Sequence, residues 1–248
     1  PVKADIFDHV VRRLQNQGFQ VYAWLPTLSG QWLTRQHPED VVTAYDTKGK
    51  GWYRRATPFS PRVREQLRAL VRDLALYTPI DGILFQDDLY LNDYEDFSPA
   101  AKAAFSTRFG RELTPSALRD PVIRRQWTQM KTQALTDLTR DLMDSVREFR
   151  PQALSARNIY AEAVLNPQSV EWIAPDYRDY LKIYDYTVVM AYPYMEKQEA
   201  RAVEWLGELA AAALHNKQDS TKVVFKLQNY DWQKNRWLAR TELSRQVR

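Results

Sequence analysis

Short β-rich segments alternate with longer helical segments along the chain, and this alternation constrains the fold more than any other feature. Strands joined by helices form βαβ units, which build parallel sheets. Only 7 of the 248 residues are glycine and no Gly-x-Gly-x-x-Gly occurs, which disfavours a dinucleotide-binding version of such a sheet. The sequence therefore predicts an α/β fold, a (β/α) TIM-like barrel. The predicted strands are residues 19–25, 82–86, 153–159, 184–192 and 222–228.

The predicted helices begin and end at residues with known capping preferences. Ser60-Pro61 and Ser98-Pro99 each combine an N-cap serine with proline at the first helical position. Gly18 follows the first apolar stripe of helical spacing and predicts the end of that helix. The predicted helices are 3–17, one from Ser60-Pro61 to Thr78-Pro79, one from Ser98-Pro99, 121–149, 202–214 and one that begins near Arg236.

The number of strands bears on the domain organisation. A full barrel of this class has eight strands, whereas five are visible here and the chain starts and ends on a helix. This count predicts that strands are missing at the ends of the barrel. We therefore expect a single (β/α)-barrel domain over residues 1–248, as a fragment of a longer protein.

Composition excludes several kinds of chemistry. The chain has no cysteine, so it can form no disulfide, thiolate nucleophile or cysteine-ligated zinc site. His9, His37 and His215 lack the spacing of a metal site, and no serine stands in Gly-x-Ser-x-Gly. We therefore predict neither a metal ion nor another cofactor. No stretch approaches the roughly 18 to 20 apolar residues of a membrane span, so no direct membrane span is expected.

Polar and aromatic residues gather at the carboxyl ends of the predicted strands, where barrel enzymes place their active sites. Tyr22 and Trp24 lie on the opposite face of their strand from its apolar residues, because side chains alternate along a strand. With Tyr192 and Tyr194 they predict a groove lined by rings, and such rings stack on sugars or nucleobases. Asn158 lies near the end of the predicted strand 153–159, and Gln228 ends the predicted strand 222–228, with Trp232 in the loop that follows.

The acidic segment after the second strand gives the strongest catalytic signal. Five carboxylates lie within residues 87–96, and crowded carboxylates raise one another's pKa, which helps to keep an acid protonated. Glycoside hydrolysis needs such an acid, together with a group that activates water, attacks the sugar or orients an acetamido group. We predict that Asp87 or Asp88 is the catalytic acid and that the other carboxylate orients the acetamido group or the water. Strand alternation points Asp88 towards the lumen, but a bulge at the strand end would admit Asp87, so the two are not ranked.

The other carboxylates of this segment receive different assignments. Asp93 is a predicted substrate-binding residue and the reserve candidate for the catalytic roles of Asp87 and Asp88. Glu95 and Asp96 are interpreted as part of a solvated acidic loop that caps the helix at Ser98.

Five runs of residues together carry a resemblance to a known family. They are Lys3-Ala4-Asp5-Ile6-Phe7, Tyr22-Ala23-Trp24, Asp81-Gly82-Ile83-Leu84-Phe85-Gln86-Asp87-Asp88, Arg157-Asn158-Ile159-Tyr160 and Met190-Ala191-Tyr192-Pro193-Tyr194-Met195-Glu196. On these runs the chain resembles the C-terminal glycoside hydrolase domain of the PgaB family over nearly its whole length. Gln86 stands where members of that family usually carry histidine.

The resemblance implies a barrel that binds and cleaves partially de-N-acetylated poly-β-1,6-N-acetyl-D-glucosamine, an exopolysaccharide of biofilms. It implies a catalytic aspartate at Asp87-Asp88, and an N-terminal deacetylase domain of the same protein as a partner. It also implies a location at the periplasmic face of the outer membrane of a Gram-negative bacterium. The groove residues that it implies are Tyr22, Trp24, Asn158, Tyr192, Tyr194, Gln228 and Trp232.

Two other functions compete with an endo-acting hydrolase. A binding module without turnover would hold the same polymer during export with the same aromatic residues, and product formation separates the two. Nucleic-acid binding is suggested by the pI of 9.2 and by basic residues near two rings. We expect no nucleic-acid partner, because the net charge of +4 is spread along the chain. The residues concerned are Lys48, Lys50, Arg54, Arg55, Trp52 and Tyr53.

Overall fold

A computed structural model describes residues 5–45, 54–215 and 220–247. Five strands form one sheet in which they follow each other in chain order, and two further strands form a hairpin. This arrangement confirms the predicted α/β class. The strands are β1 Tyr22–Leu25, β2 Gly82–Phe85, β3 Leu154–Tyr160, β4 Tyr186–Ala191, β5 Val223–Leu227, β6 Tyr230–Asp231 and β7 Arg236–Trp237.

Nine α-helices occur within the described ranges. Three of them begin with a capping residue followed by proline, and the side chains of Ser60, Ser98 and Asp120 each accept a backbone N–H of the first turn. The helices are α1 Ile6–Gln15, α2 Pro61–Tyr77, α3 Pro99–Phe109, α4 Pro121–Arg147, α5 Ala161–Leu165, α6 Val170–Ile173, α7 Tyr177–Ile183, α8 Ala202–Ala213 and α9 Arg240–Gln246.

The chain divides into two compact units. Unit 1 comprises Pro1–Ser155 and Val170–Ala174, and unit 2 comprises Ala156–Ser169 and Pro175–Arg248. Unit 1 therefore contains β1, β2 and the first two residues of β3. Unit 2 contains the rest of the sheet and the hairpin.

In unit 1, β1 and β2 pair in parallel, with Tyr22 opposite Gly82. Ala23 and Leu25 are buried on one face, which confirms the alternation predicted for β1. Position 82 requires glycine, because a Cβ atom there would collide with the ring of Tyr22 and with the backbone carbonyl of Leu154. The small residue therefore lets an aromatic ring lie over the start of β2.

In unit 2, β3, β4 and β5 pair in parallel, with Asn158 opposite Val188. Arg157 points to the other face from Asn158, because successive side chains alternate along β3. The Arg157 guanidinium lies 4.3 Å from the ring centroid of Tyr180 on α7, and it donates a 2.5 Å hydrogen bond to the hydroxyl of Tyr184. Asn158 is therefore left on the face of the sheet away from α7.

Some predicted elements differ from the structure. Strand β1 begins at Tyr22 rather than at 19, because the parallel pairing with β2 begins only at Tyr22. The last helix begins at Arg240 rather than near Arg236, because Arg236 and Trp237 pair with β6 as a hairpin. The sequence predicts no helix between β3 and β4, where the short helices α5, α6 and α7 lie.

A helix that crosses a membrane must be both long and apolar. Among the described residues, no helix combines the length and the apolar character needed to cross a membrane.

Candidate active site

The loop between β2 and α3, residues 86–97, carries the five carboxylates that the sequence singles out, and we call it the acidic loop. Three of these side chains are buried, namely Asp88, Glu95 and Asp96. Asp87 is half-buried and Asp93 is exposed. The carboxylates of the loop therefore differ sharply in their access to a substrate.

Asp88 joins the acidic loop to the loop that follows β1. One carboxylate oxygen accepts the backbone N–H groups of Leu28 and Ser29, each at 2.7 Å. The side chain has no solvent exposure, and this burial raises the pKa of its carboxyl group although the amide hydrogen bonds oppose the shift. Strand pairing ends at Phe85, so the side-chain alternation of β2 does not extend to Asp88.

Replacing Asp88 with asparagine should change how stability depends on pH. Because the pKa of Asp88 is higher in the folded than in the unfolded chain, the folded state binds more protons once the pH exceeds about 4. The buried carboxylate therefore costs stability at neutral pH, and the cost fades as the pH falls. We expect urea denaturation to show the parent gaining stability relative to Asp88→Asn as the pH is lowered from about 7 to about 4.5. A difference that stays constant with pH would contradict the raised pKa.

Glu95 forms a buried ion pair with Arg55. One guanidinium nitrogen lies 2.8 and 2.6 Å from the two carboxylate oxygens, and another donates a 2.5 Å hydrogen bond to the carbonyl of Tyr90. The guanidinium also lies 3.7 Å from the centroid of the Tyr90 ring. Glu95 in turn accepts the backbone N–H of Asn92. The pair therefore fixes the middle of the acidic loop from within, so the prediction that Glu95 is solvated is wrong.

Lys131 of α4 compensates part of the negative charge of the acidic loop. Its ammonium group donates a 2.5 Å hydrogen bond to the carbonyl of Asn92. Burial lowers the pKa of Lys131 to about 8, although the charges of Asp93, Glu95 and Asp96 oppose the shift. The loop is thus held by a buried cation as well as by its ion pair.

Asp96 anchors the end of the acidic loop. Its carboxylate accepts the backbone N–H groups of Thr43 and Ser98 and the hydroxyl of Ser98, while burial raises its pKa. The predicted structural role beside Ser98 is therefore confirmed, but the side chain is buried rather than solvated.

Asp87 and Asp93 are the two carboxylates of the acidic loop that keep solvent access. Asp87 is separated from the end of β2 by Gln86 alone and lies in a turn with Asp88. The backbone N–H of Asp93 donates to the carbonyl of Trp172, which ties that part of the loop to α6. Asp87 and Asp93 therefore keep a solvent contact that the three buried carboxylates of the acidic loop lack.

The two predicted groove residues of β1 lie on the same face of the strand. Tyr22 is half-buried and Trp24 is 56% exposed, on the face opposite Ala23 and Leu25. Unit 1 therefore contains both aromatic residues of β1 and the five carboxylates of the acidic loop.

Asn158 is the predicted groove residue of β3 and the most unusual polar group of unit 2. It is only 4% exposed, and within the described part of the chain neither polar atom of its amide has a hydrogen-bond partner. A buried amide in this state is explained by a water molecule or a ligand. Asn158 is therefore suited to bind a polar group of a ligand.

The remaining predicted groove residues lie after the ends of β4 and β5. Tyr192 and Tyr194 are buried, whereas Trp232 is 54% exposed and packs against Tyr192 with ring centroids 5.5 Å apart. Gln228 is buried; its amide oxygen accepts the backbone N–H of Tyr194, and its amide nitrogen donates to the carbonyl of Tyr230 at 2.7 Å. These bonds join the loop after β4 to the hairpin after β5.

Glu196 is a carboxylate in the turn after β4 to which the sequence analysis gives no role. Burial raises its pKa, and the charge of Glu162 adds to the shift. Its place at the end of the strand-end motif that begins at Met190 is the signal that could have found it.

The structure also bears on the alternative functions. Arg55, one of the basic residues that suggest nucleic-acid binding, is buried against Glu95, whereas Arg54 is exposed. Within the described ranges, no group of three or more histidine, aspartate and glutamate side chains is arranged to hold a metal ion. The other residues that suggest nucleic-acid binding lie outside the described residues. They are the basic Lys48 and Lys50 and the aromatic Trp52 and Tyr53.

A family model matches the whole chain and shows which family it belongs to. The family model described as "Hypothetical glycosyl hydrolase family 13" matches residues 1–248. The chain belongs to this family.

A solved structure supports the resemblance to PgaB. The PgaB (BpsB) glycoside hydrolase domain from Bordetella bronchiseptica is 32% identical, with a TM-score of 0.88, and the match covers 100% of this chain and 72% of that one. The β-galactosidase from the psychrophilic Marinomonas ef1 is 16% identical, with a TM-score of 0.66 over 90% of this chain and 40% of that one, which shows the fold alone. The predicted TIM-like barrel class and the resemblance to the PgaB domain are both confirmed.

A curated relative carries an enzyme name. The poly-β-1,6-N-acetyl-D-glucosamine N-deacetylase of Escherichia coli (strain K12) is 38% identical over 254 aligned residues, which cover 95% of this chain. The chain spans 36% of the length of that relative. The chain is therefore a member of the glycosyl hydrolase family with a glycosidase-like fold. It is also related to a protein whose name includes poly-N-acetylglucosamine.

Proposed function

We propose that the domain is an endo-acting glycoside hydrolase of partially de-N-acetylated poly-β-1,6-N-acetyl-D-glucosamine, with Asp87 as the general acid. The observation that carries this proposal is the position of Asp87, a half-buried carboxylate just beyond the end of β2. Barrel enzymes place catalytic groups at this end of their strands. Asp88, the other candidate, is fully buried and accepts two backbone N–H groups.

In the proposed reaction, the Asp87 carboxyl group gives its proton to the glycosidic oxygen as the bond from that oxygen to C1 breaks. Water, or first the acetamido oxygen of the same sugar, forms the new bond to C1, and the proton that the water loses passes to a carboxylate of the acidic loop. Asp88 acts as a positioning residue, because its bonds to Leu28 and Ser29 hold the turn that contains Asp87. Asp93 is the carboxylate that orients the acetamido group or the water.

The substrate is supported by the chemistry of the accessible side chains in each unit. A partially de-N-acetylated polymer carries free amines and is cationic, so the exposed carboxylate of Asp93 and the half-buried one of Asp87 favour its approach. The exposed rings of Trp24 in unit 1 and Trp232 in unit 2 offer flat surfaces on which sugar rings stack. The buried amide of Asn158 offers a donor and an acceptor for sugar hydroxyl or acetamido groups.

The relatives extend the proposal to the cellular setting. The E. coli relative is named for N-deacetylation of the same polymer. We therefore propose that a deacetylase domain precedes this domain in one protein, at the periplasmic face of the outer membrane of a Gram-negative bacterium. Deacetylation would then supply the substrate of the hydrolase.

Product release from the defined polymer tests the proposed activity. The domain is incubated with partially de-N-acetylated and with fully acetylated poly-β-1,6-N-acetylglucosamine, and released oligosaccharides are identified by mass spectrometry. We expect internal fragments from the partially de-N-acetylated polymer, with a mixture of lengths at early times rather than single sugars. Binding without any fragment from either polymer would replace the hydrolase with the second candidate, a binding module that aids export.

A further inference from the structure

Four aromatic side chains of unit 2 form a continuous row, which we call the aromatic row. Tyr192, just after β4, packs against Trp232. The ring centroids of Trp232 and Tyr230 lie 6.1 Å apart. The Tyr230 ring in turn lies 5.1 Å from that of Trp237. Tyr192 is buried and Tyr230 is half-buried, whereas Trp232 is 54% exposed and Trp237 is 71% exposed. The row therefore leads from a strand end to the surface of the unit.

The hairpin that carries the outer rings is held firmly at its turn. The buried carboxylate of Asp231 accepts the backbone N–H groups of Gln233 and Lys234. The hydroxyl of Tyr230 donates a 2.5 Å hydrogen bond to the side chain of Asn235, which adopts the left-handed conformation that closes the turn. The turn and the Tyr230 ring are thus held in place before any ligand arrives, which limits the entropy lost on binding.

The base of the hairpin is held by Glu242 of α9. Its carboxylate accepts two hydrogen bonds from Arg236, one from the backbone N–H of Ala239 and one from the hydroxyl of Tyr194. The Arg236 hydrogen bonds are the largest cause that lowers the pKa of Glu242 to about 2, so this carboxylate stays ionised at any physiological pH. The frame beneath the rings is therefore insensitive to pH in that range.

Two cationic side chains of the hairpin are paired with carboxylates. Arg236 is bound by Glu242, and Lys234 donates a 3.0 Å hydrogen bond to Glu199. The aromatic row therefore lies among compensated charges. A flat, exposed and electrically compensated surface suits a neutral sugar ring, whose C–H face stacks on an indole and whose edge stays hydrated.

From this row we infer that Trp237, braced by Tyr230, is an outer sugar-stacking site that takes neutral, N-acetylated residues of the polymer. The site consists of residues of unit 2, and the inference rests on the proposed substrate. The interplanar angle of 78° between Tyr230 and Trp237 is an edge-to-face contact, which covers at most one face of the indole. The other face is open, as the exposure of Trp237 requires.

The test measures binding separately from cleavage. Fully acetylated β-1,6-linked oligomers of increasing length are titrated into the domain, and the indole N–H signals are followed by NMR, with the Trp237 signal assigned from Trp237→Phe. We expect that signal to shift only with oligomers long enough to follow the aromatic row outwards from the end of β4. We also expect Trp237→Ala to weaken their binding by about three- to tenfold, and Trp237→Phe to retain most of it. Binding of the disaccharide should not change.

Tyr77 provides a matched control, because it is an exposed ring at the end of α2 in unit 1. Tyr77→Ala should bind every oligomer as the parent does. The inference is overturned if the Trp237 signal does not move while oligomers bind, or if Trp237→Ala binds all lengths as tightly as the parent. A larger loss of affinity for the de-N-acetylated than for the acetylated oligomers would also overturn it, since the site would then select charge.

Failure of the proposed hydrolase would look different. If the domain binds acetylated oligomers through Trp237 but releases no product from any polymer, the outer site stands and the hydrolase is lost. If product is released and Trp237→Ala changes neither affinity nor product length, the hydrolase stands and the outer site is lost. Sedimentation of parent and Trp237→Ala completes the test, since self-association that needs Trp237 would assign the surface to a second copy of the chain instead.

Discussion

Asp87→Asn is expected to lower kcat for release of oligosaccharides by a factor of about 10² to 10⁴, the usual contribution of a general acid. Asparagine keeps the size and polarity of the side chain but cannot deliver the proton to the leaving oxygen. The loss should therefore fall on kcat, with KM and polymer binding close to those of the parent. Single-turnover measurements with the partially de-N-acetylated polymer, together with equilibrium binding, separate these quantities.

Three further variants make this result specific to Asp87. Asp88→Asn preserves an oxygen acceptor for the two amides of the loop after β1, so it should lower activity much less than Asp87→Asn. Asp93→Asn should act on KM as well as on kcat, since its side chain is exposed and contacts the substrate in the proposed reaction. Glu196→Gln tests the carboxylate in the turn after β4, whose pKa is raised. If Asp87→Asn stays active while Glu196→Gln does not, the acid is Glu196.

The fold is accessible from the sequence wherever local signals are strong. Ser60 and Ser98, each followed by proline, predict the starts of α2 and α3, because capping and the fixed dihedral angle of proline act locally. The hairpin of β6 and β7 escapes prediction because its strands have two residues each, too few to show alternation. The start of β1 is misplaced because residues 19–21 have strand-like composition, whereas the pairing with β2 begins only at Tyr22.

The roles within the acidic loop cannot be read from the sequence. Five carboxylates crowd into one segment, and which of them is buried depends on partners distant in the chain. The amides that bind Asp88 belong to Leu28 and Ser29, and the cation that binds Glu95 is Arg55. Local composition therefore identifies the acidic segment, whereas long-range packing decides which of its side chains a ligand can reach.

Gln228 shows the same limit at the end of β5. A strand-end amide suits a sugar hydroxyl as well as it suits the backbone, and the resemblance to the PgaB family implies a contact with the sugar. In the structure the amide of Gln228 joins the backbone of Tyr194 to that of Tyr230. Gln228 is therefore placed to support the aromatic residues around it.

Arg55→Met is expected to lower the free energy of unfolding by about 3 to 5 kcal/mol, because it leaves the carboxylate of Glu95 buried without its cation. The methionine fills part of the volume but cannot replace the bonds to Glu95 or the one to the carbonyl of Tyr90. Urea denaturation measures the loss. The double variant Arg55→Met with Glu95→Gln should recover part of it, because the uncompensated charge is gone.

An exposed ion pair provides the control for this prediction. Arg201, which precedes α8, pairs with Glu204 and Glu208 with 42% of its side chain exposed, so Arg201→Met should destabilise the fold far less than Arg55→Met does. Arg55→Met should also lower product release, since the freed acidic loop no longer holds Asp87 in place. Equal losses of stability for Arg55→Met and Arg201→Met would show that the buried pair does not brace the acidic loop.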